Sequence, residues 1–190
     1  MSFNLKKYIP STYHQILLYA FLSAWLWSSV NPKQPAEWEI ETKIILLFFI
    51  LILIFIKAFK LTDLSLTAIT VFLFFHIIGA HYNYEKAPFG FILQSWFNTD
   101  KNIYSNFIYF SYGGLIYFPI REVLNKVNSL NKSIKQLLPI TLTVLFFIIY
   151  KSTSSYIFTG NSLVYINEIL FALSGSIVSS VLFKILFPKY

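Results

Sequence analysis

His76, His81 and Glu85 are the residues of this chain best suited to chemistry. His81 and Glu85 stand four apart, so they share a face if their helix runs that far. A histidine beside a carboxylate suits proton transfer near neutral pH. The same pair suits a divalent metal. Its spacing does not choose between the two, and a solvated pair at a membrane surface fits it as well. His76 is one and a half turns deeper, roughly 7 Å by helical rise. It is offset by about 140° from His81, so an ideal helix gives no ready metal pair. A break at Gly79 would be needed to bring the two together. The plainer reading of His76 is a neutral ring hydrogen-bonded to a neighbouring helix. Glu41, Asn102 and Glu168 are the groups that other helices could add at the same level. These residues leave the identity of any metal or cofactor open.

A second polar stripe runs through Asn102, Ser105, Asn106, Tyr109 and Tyr112, with Tyr104 beside it. Such residues in a membrane helix hydrogen-bond other helices, or they line a polar cavity. Gly113 and Gly114 follow and allow close approach. Ala172, Ser176 and Ser180 recur at four-residue steps, with Gly175 beside them, as a small-residue packing face. These two segments are therefore expected to meet tightly. Arg121 is the chain's single arginine among many lysines, and Glu122 follows it. A planar guanidinium suits a bidentate carboxylate or phosphate contact, and an interfacial anchor is the alternative. Glu168 starts a helix, where a carboxylate also suits the helix dipole.

The elements that must hold these groups are membrane helices. Of 190 residues, 56% are hydrophobic and only 12% charged, against about 25% charged in soluble domains. Aromatic residues make up 20%, which suits a membrane core with interfacial belts. Apolar runs predict six spans, at about 12–30, 41–59, 64–81, 102–120, 137–156 and 165–187. The expected fold is thus an all-α polytopic bundle, one transmembrane domain over 1–190. The piece 89–97 is too short to span, and reads as interfacial or re-entrant. Asp63 falls in a very short turn, so the second and third helices form a hairpin. Pro139 falls near the first turn of the fifth span, where proline is tolerated.

Net charge is +7, but the basic residues lie singly between apolar runs, with no basic stripe, so nucleic acid is excluded as a partner. They read as topology signals. With the N-terminus inside, Lys6, Lys7, Lys57, Lys60, Arg121, Lys126, Lys132, Lys135, Lys184 and Lys189 are cytoplasmic. Lys33, Lys43, Lys86, Lys101 and Lys151 are outside. The excess predicts both termini in the cytoplasm. The acids Glu37, Glu39, Glu85 and Asp100 then lie outside. Residues 1–11 form a basic leader closed by Pro10, and the run after it reads as a retained helix, not a cleaved signal. Cysteine is absent, which removes disulfide and thiolate chemistry. Nucleotide-loop, nucleophile-elbow, zinc-protease and dinucleotide motifs are missing too.

The pieces HIIGAHYNYEKAPFG (76–90), NIYSNFIYFSYG (102–113) and FPIREV (118–123) together resemble the YjdF-like family of bacterial inner-membrane proteins. Trp38 and Glu41, after the Asn31-Pro32 turn, are similar to the start of its second helix. The resemblance covers 31–123 well and the rest loosely. It implies a polytopic inner-membrane protein with a fold like that of VanZ-type proteins, and says more about architecture than reaction. Family members carry Asn-x-Tyr-Asp-Arg-x-x-His-Phe at the fourth helix. Here Asn102, Tyr104 and Phe110 match, while Ser105, Asn106 and Tyr109 replace the Asp, Arg and His. The acidic Gly-Asp-x-x-Asp region before the last helix is reduced to Glu168.

Two functions follow from this balance. One is a non-catalytic membrane subunit or scaffold that binds a membrane protein or a lipid, keeping packing glycines while charges are lost. The other is a membrane enzyme or transporter for a lipid-linked or small polar substrate. It would use an outward site at His81 and Glu85, within a polar centre between the third, fourth and sixth spans.

Overall fold

The computed structural model describes residues 11–127 and 131–186. Lys6, Lys7, Pro10, Phe187 and Lys189, used in the expectations above, lie outside the described residues. Among the described residues all regular structure is helical: α1 (Thr12–Ser28), α2 (Pro35–Phe59), α3 (Asp63–Tyr82), α4 (Pro88–Phe97), α5 (Tyr104–Asn125), α6 (Lys132–Thr159) and α7 (Ile166–Leu186). Each of the six expected runs falls largely in one of the six long helices, and α4 is the short piece between the third and fourth. Three segments, Asp63–Tyr82, Ser133–Thr159 and Ile166–Leu186, are long and apolar enough to cross a membrane by length and composition.

Local chemistry explains most of the ends. Ser11 caps α1 by accepting from the His14 amide, and Asn131 caps α6 by accepting from the Ile134 amide at 2.9 Å. Pro88 opens α4, where its missing N–H costs nothing. Gly160, at φ 73°, ends α6 in the left-handed conformation glycine adopts freely. The Asn131 cap sets α6 off earlier than its apolar run suggests. Pro139 therefore sits inside the helix, not in its first turn. Likewise α5 runs through Pro119 to Asn125, at the cost of the one backbone hydrogen bond proline cannot donate.

Helix α5 is the hub. It packs most closely on α7, and also on α3, α6 and α4, while α1 lies on α3. Helix α2 is joined to α3 by residues 60–62 and packs on α3 and, less extensively, on α6.

The expected tight contact between the Gly113–Gly114 and Ala172–Ser180 segments is present as α5 against α7. A Cβ on Gly113 would fall 1.8 Å from the Ala172 carbonyl oxygen, and one on Gly175 2.0 Å from that of Phe110. The backbones meet where only hydrogen atoms fit. Ser179 Oγ donates to Gly114 O at 2.7 Å, and Ser176 Oγ lies 3.2 Å from Gly113 O. These are the hydroxyl-to-backbone bonds by which membrane helices associate without a hydrophobic driving force.

The end of the bundle opposite the cavity described below is tied by Glu122. Its carboxylate accepts from the Thr62 amide, the Thr62 hydroxyl and Ser65 Oγ, and pairs with Lys126 at 2.9 Å. Lys126 Nζ in turn donates to Phe59 O at 2.6 Å and to Lys60 O at 3.1 Å. One turn of α5 thus caps both the end of α2 and the start of α3. Arg121, one residue earlier, is buried. Its guanidinium stacks 3.9 Å from the Phe183 ring centroid and Nη1 donates to Tyr117 Oη at 2.6 Å. The expected bidentate carboxylate contact is not formed among the described residues, and Nε is buried without a partner there. The aromatic faces of α5 and α7 take the guanidinium instead, which a lysine could not match.

Candidate functional site

At the end of the bundle formed by the C-terminal halves of α3 and α6 and the N-terminal ends of α2, α5 and α7 lies a cavity of about 450 Å³. Such a volume suits a small organic ligand. The expected polar centre lay between the third, fourth and sixth spans. The observed one also draws on α2 and α6, which carry its best-organised groups.

The floor is a buried network built on Glu41 and His76. His76 Nε2 lies 3.1 Å from Glu41 Oε2. Tyr150 Oη donates to the same carboxylate oxygen at 3.3 Å and lies 3.2 Å from His76 Nε2. Tyr84 Oη is 3.2 Å from His76 Nδ1. In one proton arrangement Nε2–H and the Tyr150 hydroxyl both donate to Glu41 and the Tyr84 hydroxyl donates to Nδ1, which leaves no proton between Tyr150 Oη and Nε2. Glu41 and His76 are 8% and 4% exposed, so each stands in place of the water the other has lost.

Backbone geometry brings Tyr84 to His76. Helix α3 runs unbroken through Gly79 and stops at Tyr82. Asn83 and Tyr84 both take positive φ, 57° and 42°, and the Tyr84 amide returns to Gly79 O at 2.8 Å. This is a helix-closing turn of the kind in which asparagine substitutes for glycine. It folds the Tyr84 ring back over the helix, where a Cβ on Gly79 would fall 2.5 Å from Tyr84 Cε1. Gly79 thus makes room for a tyrosine and does not break the helix.

That turn decides the fate of the His81–Glu85 pair. Because α3 ends between them, the two residues share no helical face. His81 Nδ1 sits 3.0 Å from Ser28 O, and its ring packs 4.6 Å from that of Trp27. It holds the last turn of α1, where carbonyls lack helical partners. The Lys33 amide returns to His81 O at 2.9 Å. His81 does not line the cavity, whereas Glu85 does, exposed at the mouth with Glu37. His76, His81 and Glu85 therefore do not converge. Among the described residues no group of three or more His, Asp or Glu side chains is placed to hold a metal ion.

The opposite wall carries a second charged pair. Lys151 Nζ lies 2.9 Å from Glu168 Oε1, donates to Tyr109 Oη at 3.1 Å and stands 4.8 Å from the Tyr109 ring centroid. Glu168 Oε2 accepts from the Tyr165 amide at 3.2 Å, so this carboxylate also caps α7, as expected from its place in the first turn. Ser105 and Tyr109, which stand where the resemblance implies Asp and His, both line the cavity. Charge is present, but it comes from α2, α6 and α7.

Asn102 and Tyr104 position the walls. Asn102 Nδ2 donates to Ala87 O at 3.1 Å, and its Oδ1 accepts from the Tyr104 amide at 2.9 Å. A Cβ on Gly90 would run into the Asn102 side chain, so α4 sits directly on it. Tyr104 is 1% exposed and donates from Oη to Phe75 O at 2.7 Å, pinning α5 to α3 below the cavity.

Tyr84, Tyr150 and Lys151 were not among the expected site residues. Tyr150 and Lys151, with Ser154 and Ser155, do form a polar face on an otherwise apolar helix, and that signal is readable in the sequence.

Comparison with known proteins agrees with this all-helical, membrane-suited architecture. The family described as "Predicted membrane protein (DUF2238)" matches residues 13–188. The chain belongs to this family. The inner membrane protein YjdF of Escherichia coli (strain K12) is 25% identical over 99 residues, 52% of this chain and 47% of that protein. The match thus spans about half the length of this relative. No solved structure matches the chain. Family membership confirms the expected resemblance and makes this a membrane protein. It brings no reaction with it.

Proposed function

We propose that this protein is a multi-pass inner-membrane protein whose cavity receives a small polar ligand or lipid headgroup from the outer face, as the binding site of a membrane enzyme or transporter. Six spans with both termini cytoplasmic are supported by the six long helices and by the excess of Lys and Arg that the sequence assigns to the inner side. The cavity then opens to the outside, and α4 lies at the same surface with Phe91, Trp96 and Phe97 exposed, as an interfacial helix would.

The observation that carries the reading is the buried Glu41–His76 pair, at 3.1 Å, forming the floor of a 450 Å³ cavity. Ionisable groups at such depth are costly and mark ligand or proton paths by default. A scaffold needs no such cavity. The motive for that reading, loss of charge at Ser105, Asn106 and Tyr109, weakens because Glu41, Lys151 and Glu168 supply charge from other helices. The Glu41–His76 pair is the proposed site of proton exchange, replacing His81 with Glu85.

The chain lacks cysteine, so single-cysteine labelling has no background. Ser105→Cys and Ser155→Cys, both lining the cavity, should react in intact spheroplasts with an uncharged, membrane-impermeant methanethiosulfonate reagent. Val127→Cys, at the other end, should react only after permeabilisation. Labelling of the cavity positions only after permeabilisation would reverse the orientation. No labelling at either would show that water does not enter, and would end the proposal.

A further inference from the structure

The chemistry of the cavity walls is selective. Its floor and mouth carry carboxylates, Glu41 inside and Glu37 and Glu85 at the rim. Lys151 is already engaged by Glu168 at 2.9 Å. An anion entering this space would meet excess negative charge and no uncommitted cation among its lining residues. A bare divalent metal would find too few converging ligands, as no suitable group of three is present among the described residues. Among charged ligands, that leaves an organic cation.

The aromatic lining supports the same class. Tyr84, Tyr109, Tyr112, Phe147, Tyr150 and Tyr165 all line the space. Ring faces attract ammonium groups, and more strongly when water is displaced. The wall already shows the arrangement with the protein's own amine: the Lys151 ammonium lies 4.8 Å from the Tyr109 ring centroid with the Glu168 carboxylate at 2.9 Å. On the other side the Glu41 carboxylate accepts from the Tyr150 hydroxyl at 3.3 Å, and the Tyr112 ring stacks on Tyr150 at 6.4 Å between centroids, so a carboxylate and aromatic rings adjoin there too.

We infer that the cavity binds an ammonium group, either that of a free small amine or that of an aminophospholipid headgroup. This rests on the cavity opening to water, as proposed above.

The test uses the purified full chain bearing Ser105→Cys, in vesicles of phosphatidylglycerol alone, labelled with the same uncharged reagent. Ethanolamine at ten times its dissociation constant should slow labelling about tenfold, since only the unoccupied fraction reacts. That result identifies a free amine as sufficient. If ethanolamine has no effect but labelling is slowed in vesicles containing phosphatidylethanolamine, the headgroup must arrive on its lipid. Either outcome supports the ammonium class. Labelling unaffected by both, or slowed by inorganic phosphate instead, would overturn it while leaving the water-filled cavity intact. Failure to label at all would be a failure of the cavity reading itself. Glu37→Gln with Glu85→Gln, both at exposed positions, should raise the half-protecting ethanolamine concentration roughly threefold, as loss of rim charges does. No change would refute the role of the rim.

Discussion

His76 Nε2 lies 3.1 Å from Glu41 Oε2, and a single tyrosine hydroxyl, that of Tyr150, reaches both. The pair joins α3 to α2, which has few other contacts with the bundle. Removing one member should therefore loosen a helix as well as empty a site. Glu41→Ala leaves the histidine and the tyrosine without their acceptor, and should cost about 3 kcal/mol. Glu41→Gln keeps an acceptor oxygen for both and should cost about 1 kcal/mol. Thermal unfolding of the purified protein in detergent, followed by tryptophan fluorescence, gives the comparison. Equal losses would mean that the carboxylate acts by volume alone.

Gly79 and Tyr84 should behave as a coupled pair. Gly79→Ala places a methyl where the Tyr84 ring lies, so the ring must move off His76. The expected loss is about 1–3 kcal/mol. In a Tyr84→Ala background the space is open, and the same glycine change should cost well under 1 kcal/mol, apart from helix propensity, which favours alanine. A double-mutant cycle measures this coupling directly. Additive effects would show that the ring does not lie where we describe it.

The α5–α7 contact offers a graded series. At Gly113 and Gly175 an added methyl meets backbone oxygen, which cannot turn aside, whereas at Gly114 the nearest atom is Ser179 Oγ at 3.3 Å. Gly113→Ala and Gly175→Ala should each cost about 3 kcal/mol or abolish folding. Gly114→Ala should be mild, within about 1 kcal/mol. Expression level and detergent stability of the three variants give the ranking, and a Gly114→Ala as damaging as the others would contradict the register.

Glu122 should matter more than its position at a helix end suggests. Three donors from residues 62 and 65 and the Lys126 ammonium converge on it. Glu122→Ala should cost about 2 kcal/mol, and Ser65→Ala about 1 kcal/mol. In a Glu122→Ala background the serine change should add little. Full additivity in the same unfolding assay would argue against a shared network.

Much of the fold was legible because apolar run length maps directly onto membrane helices. The six long helices cover the expected runs, with α2 and α6 starting earlier and α5 ending later, and Ala172 and Ser176 face the glycines they were expected to meet. Errors arose where polar caps, not apolar runs, set a boundary. Asn131 moved Pro139 into the interior of α6. The candidate site was read less well. His76 was rightly singled out, but the partner expected at Glu85 lies across a helix end, and His81 serves α1.

What the sequence determined by itself was the solvent and the period: apolar runs of this length suit helices in a membrane protein. It also determined which side chains were too polar to face lipid. Which of them would meet was decided only by the tertiary structure. Glu41, His76, Tyr150 and Lys151 come from three different helices, and no spacing along the chain encodes their distances. Tyr84 joins His76 only through two left-handed residues at Asn83 and Tyr84. Those turn the chain back one residue after α3 ends and send Tyr84, not Glu85, toward His76.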